Sequence, residues 1–145
     1  MCMMAYIAAD SPLEFIRWDE NRPAFCVTEL TEDDISVKKQ FTKPFVGYLG
    51  AQTGCSCGFT YSEDQLLLEN NDDDRKEYAQ SQESVRRLSE YLHGLVEFGS
   101  VEIFASWDGD QESEPIERLD VTPEYFGGAE FAFGEKQFLV VMKTK

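Results

Sequence analysis

The stretch that decides the fold is residues 84–109, SVRRLSEYLHGLVEFGSVEIFASWDG. Its first half repeats apolar residues at helical spacing, so that they form one stripe with charged residues opposite, as in an amphipathic helix. The stripe consists of Val85, Leu88, Leu92, Leu95 and Val96. This pattern predicts a helix over about 76–98. Gly99 follows at the position where helices commonly end in a left-handed residue.

The second half of the stretch predicts a strand. Residues 101–107 are rich in β-branched and aromatic side chains, and the turn signal Asp108-Gly109 follows them. We therefore expect a strand to return after this turn, and residues 116–121 are the candidate. Further strands are predicted at residues 3–9, 24–30, 45–50, 130–133 and 138–142, the last two joined as a hairpin through Gly134-Glu135, and one helical turn is predicted at residues 13–16.

The order of these elements favours an α+β fold in a single domain, residues 1–145. Thr31 and the three carboxylates after it are typical of a helix start, and this short helix must end before Pro44. Residues 62–76 are polar and predict an exposed acidic loop. Because the strands do not alternate with helices, we expect a mostly antiparallel or mixed sheet, with the long helix packed on one face.

The charge of the chain narrows the class of partner. Its 28 acidic and 13 basic residues give a net charge of -15. Nucleic-acid binding depends on Lys and Arg that neutralise phosphates, and anionic membrane surfaces also attract cations. We therefore expect no nucleic-acid and no membrane partner, and a basic protein is the partner that the charge favours. The apolar runs are too short to cross a bilayer, which predicts a soluble, cytoplasmic protein.

The cysteines are the candidate metal ligands. Cys55 and Cys57 are two residues apart, so in an extended segment both thiols would leave the same face and could reach one ion. A closed Zn²⁺ site usually needs four ligands, which Cys26 and Cys2, or else His93 or a carboxylate, could complete. The chain lacks the paired Cys-x₂-Cys spacing of structural zinc sites. We expect no cofactor, and Zn²⁺ is the ion that these thiols would bind if they converge.

The same cysteines are also consistent with roles that need no metal ion. Two thiols between Gly54 and Gly58 could be reactive, because accessible backbone amides lower a thiol pKa, or they could be half-buried parts of a structural turn. Cys2 could act as a nucleophile with its own α-amine if Met1 were removed. His93 is expected at the boundary of the helix stripe. The acidic residues 108–114 could bind Ca²⁺, although they do not match an EF-hand loop.

The segment 54–59, GCSCGF, together with Met1-Cys2 and residues 107–110, resembles a group of small uncharacterised bacterial proteins that carry a Gly-Cys-x-Cys-Gly-Phe motif. The resemblance implies a bacterial cytosolic protein and brings no activity with it. Since the sequence has no complete catalytic constellation, the first hypothesis is a non-catalytic acidic domain that binds a basic protein, in the manner of toxin-neutralising immunity proteins. The alternative is a metal-binding or thiol-reactive site around Cys55 and Cys57.

Overall fold

The strands form one mixed sheet in the part of the chain that the structure describes. This computed structural model describes residues 2–21, 24–52, 54–59, 72–127 and 131–144. The strands are β1 (Met3–Ala9), β2 (Cys26–Thr28), β3 (Phe45–Gly50), β4 (Val101–Trp107), β5 (Glu117–Val121) and β6 (Gln137–Val141). Their order across the sheet is β2-β3-β1-β4-β6-β5. Neighbours are antiparallel except β5 and β6, which are parallel. The predicted α+β class is confirmed.

The long helix, α1, covers residues Asp72–Leu95 and continues as a 3-10 turn over Val96–Phe98. Gly99 then adopts a φ of 132°, in the region that favours glycine, so the predicted end of the helix is correct. The helix begins earlier than predicted. Residues 72–76 of the predicted acidic loop are therefore helical, while residues 62–71 of that loop lie outside the described part of the chain.

The main core lies between α1 and one face of the sheet. Alternate residues of β1 point to this face, because successive side chains of a strand leave opposite sides. Phenylalanines outside the strands and α1 also contribute to this core. The principal buried residues are Ala5, Ile7, Val27, Leu49, Phe59, Val85, Leu88, Leu92, Ile103, Phe126, Phe133 and Leu139. Apolar burial on this face holds the helix on the sheet.

A short 3-10 helix, Glu32–Gln40, covers the opposite face of the sheet. Val37 from this helix packs with Tyr6 and Phe138 in a second, smaller core. The short helix was predicted here, but Thr31 does not cap it. The Thr31 hydroxyl donates instead to the Asp34 carboxylate, at 3.0 Å. Both faces of the sheet are thus covered.

Two buried carboxylates attach the 3-10 helix Glu32–Gln40 and the residues that follow it to the sheet. Asp34 accepts a hydrogen bond of 2.8 Å from the Tyr6 hydroxyl. Glu102 of β4 accepts hydrogen bonds from the amide and the hydroxyl of Thr42, at 2.8 and 2.9 Å, and from the amide of Lys43. Each carboxylate is less than a tenth exposed. Burying a carboxylate without hydrogen bonds costs free energy, so these contacts determine where the 3-10 helix lies on the sheet.

The predictions for the last third of the chain were partly wrong. Residues 117–121 do form a strand, but β5 pairs with β6 and not with β4 across the Asp108-Gly109 turn. Residues 131–133 are not a strand, so the predicted hairpin does not form; Glu130 lies outside the described residues. The reason is that β6 already has a neighbour on each side. The rings of Phe131 and Phe133 instead contact each other in the core, with centroids 5.0 Å apart.

The segment after β1 also differs from its prediction. Residues 13–16 are not helical. Ile16 is extended and exchanges two backbone hydrogen bonds of 2.9 Å with Val27. The predicted second strand, residues 24–30, shrinks to the three residues of β2. The ends of β2 are set by its long-range pairing with β3 and with Ile16. Neither of these two pairings can be predicted from local strand propensity.

Candidate metal and thiol site

The Cys-Ser-Cys turn is hydrogen-bonded into the sheet. Gly54 opens it with a φ of 78°, and residues 56–59 form one 3-10 turn. The fully buried Ser56 hydroxyl accepts the Ala5 amide hydrogen at 2.9 Å and donates to the Leu49 carbonyl at 2.5 Å. Leu49 and Ala5 are partners in the β1–β3 pairing. The Ser56 hydroxyl therefore bridges β1 and β3 and attaches the turn to the sheet.

Cys57 continues the same arrangement one step further along β1. Its sulfur accepts the Met3 amide hydrogen at 3.1 Å. The Cys57 side chain is half-buried and packs against the main core. Its position is therefore fixed by the backbone at the start of β1.

This anchoring brings three thiols together. The sulfur atoms of Cys2, Cys55 and Cys57 all lie within 4.8 Å of one another, and we call this group the thiol cluster. Cys2 comes directly before β1, and its carbonyl accepts the Asp108 amide hydrogen at 2.8 Å. Cys2 is exposed, whereas the other two thiols are half-buried. The cluster thus has one side open to solvent.

The surroundings of Cys55 lower the pKa of its thiol. Burial raises its pKa, but hydrogen bonds from the Cys57 amide, the Cys57 thiol, the Tyr48 hydroxyl and the Cys2 thiol together bring the pKa below the ordinary value. Hydrogen bonds to the charged form favour it. The Tyr48 hydroxyl also accepts the Ser56 amide hydrogen at 3.0 Å, which fixes the orientation of the ring.

The neighbouring groups titrate in the opposite direction. Burial and the hydrogen bond to Cys55 raise the pKa of Cys57 to about 11. Burial is also the main cause that raises the pKa of Tyr48 to about 12. Of Cys55, Cys57 and Tyr48, it is therefore Cys55 whose surroundings favour the charged form.

The fourth cysteine lies outside the thiol cluster. Cys26 is buried in β2, opposite Gly50 of β3. Its sulfur occupies the space above Gly50, where a Cβ would clash with it. Burial raises the pKa of Cys26. Of the four cysteines named from the sequence, the structure therefore brings together Cys2, Cys55 and Cys57.

The other candidate ligands do not join the cluster in the described ranges. His93 is about half exposed, and its Nε2 lies 3.5 Å from a carboxylate oxygen of Glu124, consistent with its predicted boundary position. In the acidic segment 108–114, Asp108 accepts a hydrogen bond from Gln111, and Glu112 forms an ion pair of 2.7 Å with Lys39. These contacts are typical of an ordinary surface loop. The carboxylate oxygens of this segment do not converge as the three thiol sulfurs do.

A groove of about 530 Å³ runs beside α1. It is lined by Ile16, Asn21, Ala24, Phe25, Gln52, Gln80, Glu83 and Arg87. The two charged residues of this lining, Glu83 and Arg87, form an ion pair of 3.1 Å with each other. Since their charges are already compensated, the groove shows no particular ligand chemistry.

Comparison with known families, with curated proteins and with solved structures finds no match for this chain. In the described residues, every helix is too short or too polar to cross a membrane. The function must therefore be inferred from the site itself.

Proposed function

We propose that this protein binds a thiophilic metal ion, Zn²⁺ in the first instance, through the thiolates of Cys2, Cys55 and Cys57. The observation that carries the proposal is the convergence of three sulfur atoms within 4.8 Å from two distant segments of the chain. Thiolates are preferred ligands of Zn²⁺, with Zn–S distances of about 2.3 Å. Around a tetrahedral ion such distances separate neighbouring sulfurs by about 3.8 Å. On binding the ion, the three sulfurs would need to move only slightly closer to one another.

The surroundings of the cluster support binding at this place. Cys57 is fixed by the Met3 amide, and Ser56 fixes the turn between the two cysteines to β1 and β3. Two ligands are therefore held by the sheet before an ion arrives, which reduces the loss of conformational entropy on binding. The exposed Cys2 can close over the ion from the solvent side.

Three thiolates leave one position of a tetrahedral ion to a fourth ligand. Where zinc has three protein ligands and an open position, it can lower the pKa of a bound water or polarise a substrate oxygen. The convergence of the three thiols supports metal binding and indicates no particular reaction. Metal binding is accordingly the function that we propose.

Metal content tests the proposal directly. Protein is purified under reducing conditions without chelators or metal-affinity resin, and its zinc content is measured by elemental analysis. Apoprotein is then titrated with Co²⁺, whose thiolate complexes show charge-transfer absorption. We expect one ion per chain, lost in Cys55→Ser and Cys57→Ser and weakened in Cys2→Ser. Cys26→Ser is the matched control and should retain the ion. Reduced protein that binds neither ion refutes the proposal, as does equal loss in the control.

A second candidate function is an acidic domain that binds a basic protein, and the position of β5 favours it. β5 is the outermost strand next to β6, and its acidic residues Glu117 and Asp120 are exposed. Titration with a Lys-rich peptide, followed by NMR, tests this candidate. Shifts confined to β5 and suppressed by salt support it, whereas shifts spread over the whole surface contradict it.

A further inference from the structure

We infer that the thiol cluster is a redox switch, in which a peroxide oxidant joins Cys2 to Cys55 as a disulfide and the bound metal ion is released. The release step rests on the proposed function; the choice of the disulfide rests on the arrangement of the thiols alone. Three thiols in one cluster allow three pairings, and the structure distinguishes them.

Cys2 is the thiol that an oxidant meets first. It is the exposed member of the cluster, while Cys55 and Cys57 are half-buried. Access to the oxidant is one of the factors that determine which thiol is oxidised. In the zinc-bound cluster all three sulfurs are thiolates, so exposure distinguishes them, and the initial oxidation is assigned to the Cys2 sulfur.

Cys55 is the partner that the contacts favour. All three sulfurs lie within 4.8 Å of one another, so distance does not exclude any pair, and the choice depends on what each sulfur already binds. The Cys57 sulfur accepts the Met3 amide hydrogen and packs against the main core. Pairing through Cys57 would remove the acceptor from this amide, whereas pairing Cys2 with Cys55 leaves the start of β1 unchanged.

The reaction takes place in two balanced steps. The Cys2 sulfur attacks one oxygen of hydrogen peroxide, the O–O bond breaks, and Cys2 becomes a sulfenic acid as one water leaves. The Cys55 sulfur then attacks the Cys2 sulfur, an S–S bond forms, and the hydroxyl group leaves with a proton as a second water. In the metal-free cluster the two thiols lose two electrons and two protons, and the peroxide is reduced to two waters. In the zinc-bound cluster the two sulfurs are thiolates, so they lose two electrons, the solvent supplies the two protons, and Zn²⁺ leaves.

The disulfide removes two of the three metal ligands. A thiolate binds metal, whereas a sulfur in a disulfide carries no charge and is a poor ligand. The two sulfurs must also approach from within 4.8 Å to a bond of about 2.05 Å, which closes the space between them. The remaining thiolate, Cys57, cannot hold the ion alone, so oxidation and metal binding exclude each other.

The experiment uses the full chain loaded with zinc and then treated with hydrogen peroxide. Zinc release is followed with a chromogenic chelator, and disulfides are mapped by mass spectrometry of peptides kept under non-reducing conditions. We expect release of one zinc per chain with a disulfide between the Cys2 and Cys55 peptides, and recovery of zinc binding after dithiothreitol. Cys57→Ser should still form this disulfide and Cys2→Ser should not. The control Cys26→Ser should release zinc as the unaltered chain does.

Each failure has a distinct signature. Zinc that stays bound after complete formation of the disulfide overturns the switch and leaves the proposed function standing. A disulfide that maps to Cys55 and Cys57, or to Cys26, also overturns it. A reduced chain that never binds zinc refutes the proposed function and the release step together, and the peptide map of that same chain still supports or refutes the pairing of Cys2 with Cys55.

Discussion

Replacing Ser56 by alanine removes a single oxygen that satisfies two buried backbone groups. The hydroxyl accepts the Ala5 amide hydrogen at 2.9 Å and donates to the Leu49 carbonyl at 2.5 Å, and both residues have no exposed surface. A buried donor or acceptor left without a partner costs about 1–3 kcal/mol. Taking about 1.5 kcal/mol for each of the two groups, we expect Ser56→Ala to lower the free energy of unfolding by about 3 kcal/mol.

Ser81 of α1 provides a matched control. It is only 1 % exposed, and its hydroxyl has no hydrogen-bond partner in the part of the chain that the structure describes. Ser81→Ala therefore removes an unsatisfied polar atom from a buried site and should be neutral or stabilising by up to about 1 kcal/mol. The two variants make the same chemical change at equal burial and differ in the contacts that are lost.

Urea unfolding of the reduced, metal-free chain measures both variants. At a similar m-value, a loss of about 3 kcal/mol moves the midpoint to clearly lower urea, and it lowers the melting temperature by about 6–12 °C for a chain of this size. Ser56→Ala should also weaken Co²⁺ binding, because the turn between Cys55 and Cys57 loses its attachment to β1. A loss below about 1 kcal/mol for Ser56→Ala, or an equal loss for Ser81→Ala, would show that the Ser56 hydroxyl does not hold this turn on the sheet.

Three further predictions concern other parts of the molecule. Glu102→Gln replaces a buried acceptor of three hydrogen bonds by an amide with one oxygen, and should cost about 2 kcal/mol in urea unfolding; an unchanged midpoint would contradict the assigned contacts. Gly99→Ala places a side chain at a φ of 132° and should destabilise by about 1–3 kcal/mol, whereas Gly94→Ala, in open space on α1, should stabilise by about 0.5 kcal/mol. Tyr48→Phe removes a hydrogen bond to Cys55, so the pKa of that thiol should rise and its alkylation near neutral pH, measured by mass spectrometry, should slow; an equal rate would refute the role of Tyr48.

The elements that the sequence predicts correctly are those set by local pattern. β3 begins and ends where its apolar run does, and the end of the helix coincides with Gly99. The stripe of residues 85–96 specifies which side of the helix is buried. Such patterns repeat within a few residues, so they can be read without knowing which segments are neighbours.

The errors arise where pairing between distant segments decides the outcome. Residues 117–121 form the strand that was predicted to return after the Asp108-Gly109 turn, but their partner is β6 and not the preceding β4. Phe131 and Phe133 alternate as strand residues do, yet they contribute rings to the core. A turn signal such as Asp108-Gly109 shows where the chain reverses, and it does not show which strand becomes the neighbour.

Only part of the thiol cluster could be predicted from the sequence. The spacing of Cys55 and Cys57 predicted two ligands on the same face of an extended segment. Residues 56–59 form a 3-10 turn instead, and nothing local joined the two cysteines to Cys2. The missing information is the antiparallel register of Ala5 opposite Leu49. With that register, the residue before β1 and the turn after β3 must lie at the same end of the sheet. Cys26, which has the same ligand chemistry, is instead buried opposite Gly50.

The two edges of the sheet have a consequence for the behaviour of the folded chain at high concentration. The outer strands are β2, with three residues, and β5, whose sequence ERLDV carries three charged side chains. A long, flat, apolar edge would offer its free backbone groups to another molecule, and short or charged edges prevent this. β1 and β4, in which all but one residue of each strand are buried, lie at the centre of the sheet with neighbours on both sides. The order of the strands thus protects the chain against edge-to-edge aggregation.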